Sequence, residues 1–274
     1  MHLRSYLGVL LGICVQCGCG ADLPCDSATE LREVAAPLIK RATPSKGPVE
    51  SGAQREFIVD YLGSSDDALR GAAIELLSTG LLNGRPVRAA KFTDYLSQEH
   101  PPEVRAIALA YSLWGHTVRG EKRPQTDERV SAMKDVWAAT INSLANQAGI
   151  PSAPWLSVVV GMTHVGDNVV SDLLTPDNRP RFAERIVPLL EGPEEWSSIV
   201  VSTVGGLGAD VAAPVLEKWY RQEKDPSVRL VLVDNFGLLD LEDPGQRERF
   251  MPLLDLARAD PDEDVRARAA LTTR

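Results

Sequence analysis

Cysteine disappears from the chain after residue 25: all four, Cys14, Cys17, Cys19 and Cys25, lie in the opening segment. A disulfide framework is therefore excluded for the body of the protein, and a chain of 274 residues can bury a core without one. The same absence argues against metal: Cys17 and Cys19 meet no matching Cys or His cluster downstream. Aromatic residues are scarce, at 5%, so the core must be built from Leu, Val, Ile and Ala, a mixture suited to packed helices. Positive charge is short as well. The formal net charge of −9 and pI near 5.1 oppose the basic footprint of proteins that neutralise phosphates, so nucleic acid is not an expected partner. The densest positive stretch, "VRGEKRPQTDER", is interleaved with Glu121, Asp127 and Glu128 and reads as a solvated loop.

Catalytic signatures are missing too. There is no Gly-x-Ser-x-Gly turn, no phosphate loop and no His-Glu-x-x-His helix. His100, His116 and His164 have no metal-ligand spacing and fit turn or cap roles. The pairs Asp66-Asp67, Glu194-Glu195 and Glu242-Asp243 precede apolar runs, where a carboxylate is more useful as a helix cap than as a general acid. "GGLG" at Gly205 to Gly208 follows a helical run and reads as a close contact and helix end. Catalytic residues, metals and cofactors are accordingly all expected to be none.

What is present begins at the N-terminus. "MHLRSYLGVLLGICVQCGCGADLPCDS" carries one cation, Arg4, then an apolar core from Leu7 to Val15, then small residues. This is the shape of an export signal, with an apolar run too short for a permanent span. A cysteine just past that core resembles the lipobox of bacterial lipoproteins. The resemblance implies lipidation at Cys19, preceded by the small residue Gly18, although Gln16 replaces the usual Leu and Cys17 is a weaker alternative. Simple cleavage near Ala21 is the competing reading. Residues 1–21 are thus assigned to the signal. In residues 22–54, Ser27 and Glu30 have capping-box spacing before an apolar face of Leu31, Val34 and Leu38, so a capping helix is expected, followed by the loop "TPSKGPVESG".

Residues 55–274 contain a repeat. A Val-Arg or Leu-Arg pair ends at Arg70, Arg105, Arg229 and Arg266, each with acidic or proline-rich residues before it and an apolar run after it. In "KDPSVRLVLVDNFGLLD", Asp225 is the expected helix cap and Pro226 suits the first turn, where its missing N–H costs nothing. Two further segments, "PSAPWLSVVVGMTHVG" and "GPEEWSSIVVSTVGGLG", keep the frame with Leu156 and Ser198 at the arginine position. Gly80, Gly115, Gly166 and Gly208 then each fall ten residues after an anchor. The anchors recur at intervals of about 30 to 50 residues, the range of a two-helix unit. Upstream of each anchor lies a second apolar-periodic segment, such as "FAERIVPLLEG" with Phe182, Ile186, Leu189 and Leu190 on one face. "TVRGEKRPQTDERVS" reads as an enlarged connection. A strand reading of "VVV" and "LVLVDNF" is the weaker alternative, because the partner segments are helical.

This pattern resembles HEAT repeats, whose second helix begins Asp-Pro-x-Val-Arg before an Ala/Leu-rich run; armadillo-like packing is the nearest relative. The resemblance implies an all-α fold, a right-handed solenoid of about six helical hairpins, with Arg229 using its guanidinium fork to reach acidic or carbonyl groups of an adjacent unit. It also implies a binding or scaffold role: a tethered, exported protein of the cell envelope or periplasm that presents a curved surface to a protein or peptide partner. Trp155 and Trp196, at equivalent places in the two degenerate units, are the candidate partner-binding residues, with core packing the other reading. Membrane contact is expected only through the lipid anchor. The alternatives are a HEAT-like enzyme or chromophore-handling protein such as a lyase, and a HEAT-like DNA-repair glycosylase, which the charge opposes.

Overall fold

The computed structural model describes residues 25–39, 55–83, 85, 87, 89–118, 128–149, 152–163 and 169–272. Among them there is helix and no strand. The α-helices are α1 (Ala28–Ile39), α2 (Phe57–Asp60), α3 (Asp67–Leu82), α4 (Pro102–Val118), α5 (Glu128–Asn146), α6 (Ser152–Thr163), α7 (Val169–Leu173), α8 (Asn178–Ile186), α9 (Glu194–Gly205), α10 (Ala209–Gln222), α11 (Pro226–Asp234), α12 (Pro244–Arg258) and α13 (Glu263–Thr272). The "VVV" run lies in the buried helix α6, and "LVLVDNF" begins in α11, which buries Arg229, Leu232 and Val233, and runs into a 3-10 turn at Phe236; neither is a strand.

Helix starts follow local chemistry. Ser27 Oγ accepts from Glu30 N at 3.2 Å, while Glu30 Oε2 accepts from Asp26 N at 3.0 Å. Asp66 accepts from Ala68 N and Leu69 N, Asp225 from Ser227 N, Asp243 from Gln246 N, and Asp262 from Asp264 N and Val265 N. Each carboxylate satisfies donors that the first turn leaves over.

Several expected α-helices tighten into 3-10 turns. α2 continues as Tyr61–Gly63, α8 as Val187–Glu191, and "AAKFTDYL" is 3-10 throughout, Ala89–Leu96. Pro188 accounts for the second case, since it has no N–H to continue the α ladder. The expected loop "TVRGEKRPQTDERVS" is shorter than its sequence suggests: Thr117 and Val118 close α4, and Glu128 to Ser131 open α5. The charged residues between lie outside the described ones. α7 was not anticipated.

The helices pack in two sets. α5 lies against α8, α8 against α10, and α10 against α12; in the other set α6 touches α9, α9 touches α11, and α11 touches α13. The first half departs from simple stacking. α6 packs closely on α4 and also reaches across to α3. Val104 to Leu113 of α4 and Pro154 to Met162 of α6 are buried without interruption, which is why α6 carries apolar residues on every side.

The approach of α4 and α6 depends on Gly161, where a Cβ would stand 2.5 Å from the carbonyl oxygen of Ala110. Ser157 Oγ bonds Ser78 Oγ at 2.6 Å between α6 and α3, and each hydroxyl also reaches a carbonyl of its own helix, Ala153 O and Ile74 O. Gly208 turns the chain from α9 into α10 at φ 93°, a left-handed value that glycine adopts without strain.

Candidate functional site

The repeat-defining arginines occupy two kinds of surroundings. Arg70 Nη1 donates to Ser64 O at 3.0 Å, Arg229 Nη1 to Glu223 O at 3.1 Å, and Arg266 Nη1 to Asp260 O at 2.6 Å. In all three the acceptor is six residues upstream, just ahead of the helix that carries the arginine. The guanidinium folds back over its own helix start and closes the turn between the two helices of a hairpin.

Arg229 does more. Its Nε and Nη2 donate to the two oxygens of Asp260 at 2.8 and 2.9 Å, a fork that joins α11 to the turn ahead of α13. Tyr220 donates its hydroxyl to Asp260 Oδ2 at 2.5 Å, its ring centroid lies 5.9 Å from the Arg229 guanidinium, and Asp262 N donates to Asp260 Oδ1. Asp260 thus links two arginines of consecutive segments, Arg229 through its carboxylate and Arg266 through its carbonyl. Burial alone would raise the Asp260 carboxyl, but the bonds from Arg229, Tyr220 and Asp262 outweigh it and hold the group below the usual carboxylate range. Arg229 is pushed up, first by its bond to Asp260. Asp225 and Pro226 sit at the cap and first position of α11, and Asp225 is lowered by its bonds to Ser227.

Arg105 differs from the other three. It is 3% exposed, and its hydrogen bond is Nη1 to Ser143 Oγ on α5, at 3.3 Å. Its Nε is buried with no partner. Burial lowers the Arg105 pKa, and the charge of Glu103 partly offsets this.

A groove of about 460 Å³ runs beside this region, lined by the first half of α3, Glu103, Gly149, Ala153 and Pro154. Gly71 and Gly149 form open parts of its wall, since a Cβ at either would meet nothing within 4 Å. Asp67, Arg70, Glu75 and Glu103 supply its charges. Arg70 bonds Asp67 at 2.5 Å, and its Nε lies 4.0 Å from Glu103, while Glu75 pairs with Arg32 of α1 at 2.9 Å.

The two candidate tryptophans separate. Trp155 is 2% exposed, and its ring meets Phe182 edge-on at 5.4 Å between centroids. It offers no face to a partner and belongs to the core, because the helix that carries it is enclosed on all sides. Trp196 is partly exposed and packs over Gly192, where a Cβ would come within 2.8 Å of its ring. Cys19 and Cys17 lie outside the described residues. Cys25 is buried, its N–H donating to Tyr61 Oη at 2.7 Å.

Asn142 was missed in the sequence. Its Oδ1 accepts from Thr175 N, Thr175 Oγ1 and Asn178 Nδ2, and its Nδ2 donates to Ala138 O and Leu173 O. It holds the approach to α8 against α5. The available signal was an asparagine within a helical pattern, where that side chain is a poor helix former unless it has work elsewhere.

Among the described residues no group of three His, Cys, Asp or Glu side chains could hold a metal, and no helix is long and apolar enough to cross a membrane. His100 lies beside Tyr95, ring centroids 5.1 Å apart. No protein-family model, curated protein or solved structure matches the chain.

Proposed function

We propose that the protein is an exported, lipid-anchored scaffold built as a right-handed HEAT-like solenoid of about six helical hairpins, which binds a protein or peptide partner. The observation that carries the reading is the shared arginine geometry. Three arginines, placed far apart in sequence at one repeat position, each bond the carbonyl six residues upstream. Equivalent residues in equivalent roles are what a repeat requires. The apolar segment from Leu7 to Val15 and Cys19 support export and tethering.

The partner surface is narrower than the whole inner layer of a solenoid. α4 and α6 are buried over most of their length, and the groove beside α3 is a concavity that a partner could reach. A partner seated there would meet Gly71 and Gly149, the two positions where the wall is bare backbone.

Capture from envelope extracts with wild type and Gly71→Trp tests this. A saturable partner should be retained by wild type and lost from the variant, whose bulk fills the groove; equal retention overturns the placement. Tethering is checked separately by mass and fractionation. A diacylglyceryl mass on Cys19, with release of Cys19→Ala into the soluble fraction, is the expected result, and a chain beginning at Asp22 overturns it.

A further inference from the structure

Arg105 is a buried cation whose donors are not spent. Removing a guanidinium from water is tolerated when its fork finds acceptors, and Arg229 shows in this same molecule what such a fork takes: both oxygens of a carboxylate, through Nε and Nη2. In Arg105 the corresponding Nε is buried and bonded to nothing. Its one hydrogen-bond partner is a neutral hydroxyl at 3.3 Å. Glu103 does not close the gap, since its carboxylate leans toward Arg70.

A further polar side chain converges on the same point. Gln147 Nε2 reaches Ser143 Oγ at 3.4 Å, so the Gln147 amide and the Arg105 guanidinium meet at one hydroxyl. Gln147 Oε1 is buried without a partner. An amide can be turned to exchange its oxygen and nitrogen. Turned, Gln147 would accept from Ser143 and aim its NH₂ where Oε1 now points. Arg105 also stands in the first turn of the 17-residue α4, where backbone donors favour negative charge. Glu103 and Gly149, which line the groove, stand two residues along the chain from Arg105 and Gln147 respectively.

We infer that Arg105, Ser143 and Gln147 form a binding site for a carboxylate, in the joint between the start of α4 and the end of α5. Arg105 supplies the charge and the fork, the turned Gln147 supplies a neutral donor that fixes orientation, and Ser143 holds the two together, accepting from Arg105 and donating to Gln147. The scaffold reading bears only on where the carboxylate comes from, an acidic side chain of a bound partner or a small free acid. Occupancy of the site does not depend on it.

The test is thermal unfolding of the full chain in acetate, with chloride at equal ionic strength as control. Wild type should show a saturable rise in Tm of about 2–4 °C over chloride. Arg105→Gln should lose that rise. Gln147→Glu places a carboxylate beside Arg105 from within, so it should melt above wild type without acetate and no longer respond to it; this arm stands even if Arg105→Gln folds poorly. A capped peptide with a single Asp, used at the same concentration, separates the sources: a larger rise than acetate assigns the site to a partner's side chain, and an equal rise assigns it to a free acid. Equal melting in acetate and chloride, or a response that survives in Gln147→Glu, overturns the site. A rise with inorganic phosphate alone overturns the carboxylate assignment.

Discussion

Asp260 is the residue on which most depends. It is 3% exposed, carries a charge, and answers Arg229, Tyr220 and the backbone of Asp262 at once. Removing one partner of a buried pair strands the other, at a cost of about 3–5 kcal/mol, whereas an exposed pair contributes about 0–1 kcal/mol. Asp260→Ala should therefore lower stability by about 3–5 kcal/mol, and Lys218→Ala, which removes the exposed pair with Glu184, by less than about 1 kcal/mol. Urea unfolding of the two variants measures the difference. Arg229→Ala belongs with the first and should lower Tm more than it alters partner binding.

The Asp260 carboxyl also sets a pH dependence. Its folded pKa is depressed, so its contribution is present above the unfolded value of about 3.9 and is lost as pH falls through the lower folded value. Stability should decline on acidification below about pH 4, more steeply in wild type than in Asp260→Asn. Denaturant midpoints taken between pH 6 and pH 3 give both slopes.

Among the elements, α6 shows what a small residue decides. A Cβ at Gly161 would meet the carbonyl oxygen, Cα and carbonyl carbon of Ala110 at 2.5, 2.8 and 2.9 Å, all backbone and unable to move aside. Gly161→Ala should force α6 off α4 and cost about 1–3 kcal/mol. Gly71→Ala is the control. It lies in α3 with open space around the missing Cβ, and should gain about 0.5–1 kcal/mol from helix propensity alone. Opposite shifts in urea midpoint are expected, and a neutral Gly161→Ala would refute the close approach. Both glycines look alike in the sequence, one within "LRGAA" and one within "VVGMT"; only their neighbours distinguish them.

Across the whole molecule, ion pairs and buried helices are distributed unevenly. Lys91 pairs with Asp60, Lys218 with Glu184, Arg249 with Asp210, and Arg268 with Asp234, each joining helical elements that are distant in sequence. These are solvent-exposed and screened by salt, so they align neighbours more than they hold them together. Cohesion comes from α4 and α6, buried along ten and nine consecutive residues. α13 buries little beyond Val265 and Ala269. Hydrogen exchange should accordingly be slowest in α4 and α6 and fastest in α13. Uniform protection along the chain would contradict this gradient.

Helical character was legible in the sequence because it depends on neighbours along the chain: capping carboxylates at Asp66, Asp225, Asp243 and Asp262, and apolar residues at a helical period. The recurring Leu/Val-Arg pair was legible for the same reason, since for Arg70, Arg229 and Arg266 the answering carbonyl lies only six residues away. Other features were settled by contacts between segments distant in sequence. Arg105 shares the motif of Arg229 yet has no Asp260, because what faces a guanidinium across a joint depends on the helix that packs there. Trp155 reads like Trp196 until α6 is seen to be enclosed. The start of a helix is specified locally, whereas the partner of each buried group is chosen by packing, and packing is decided only when the helices meet.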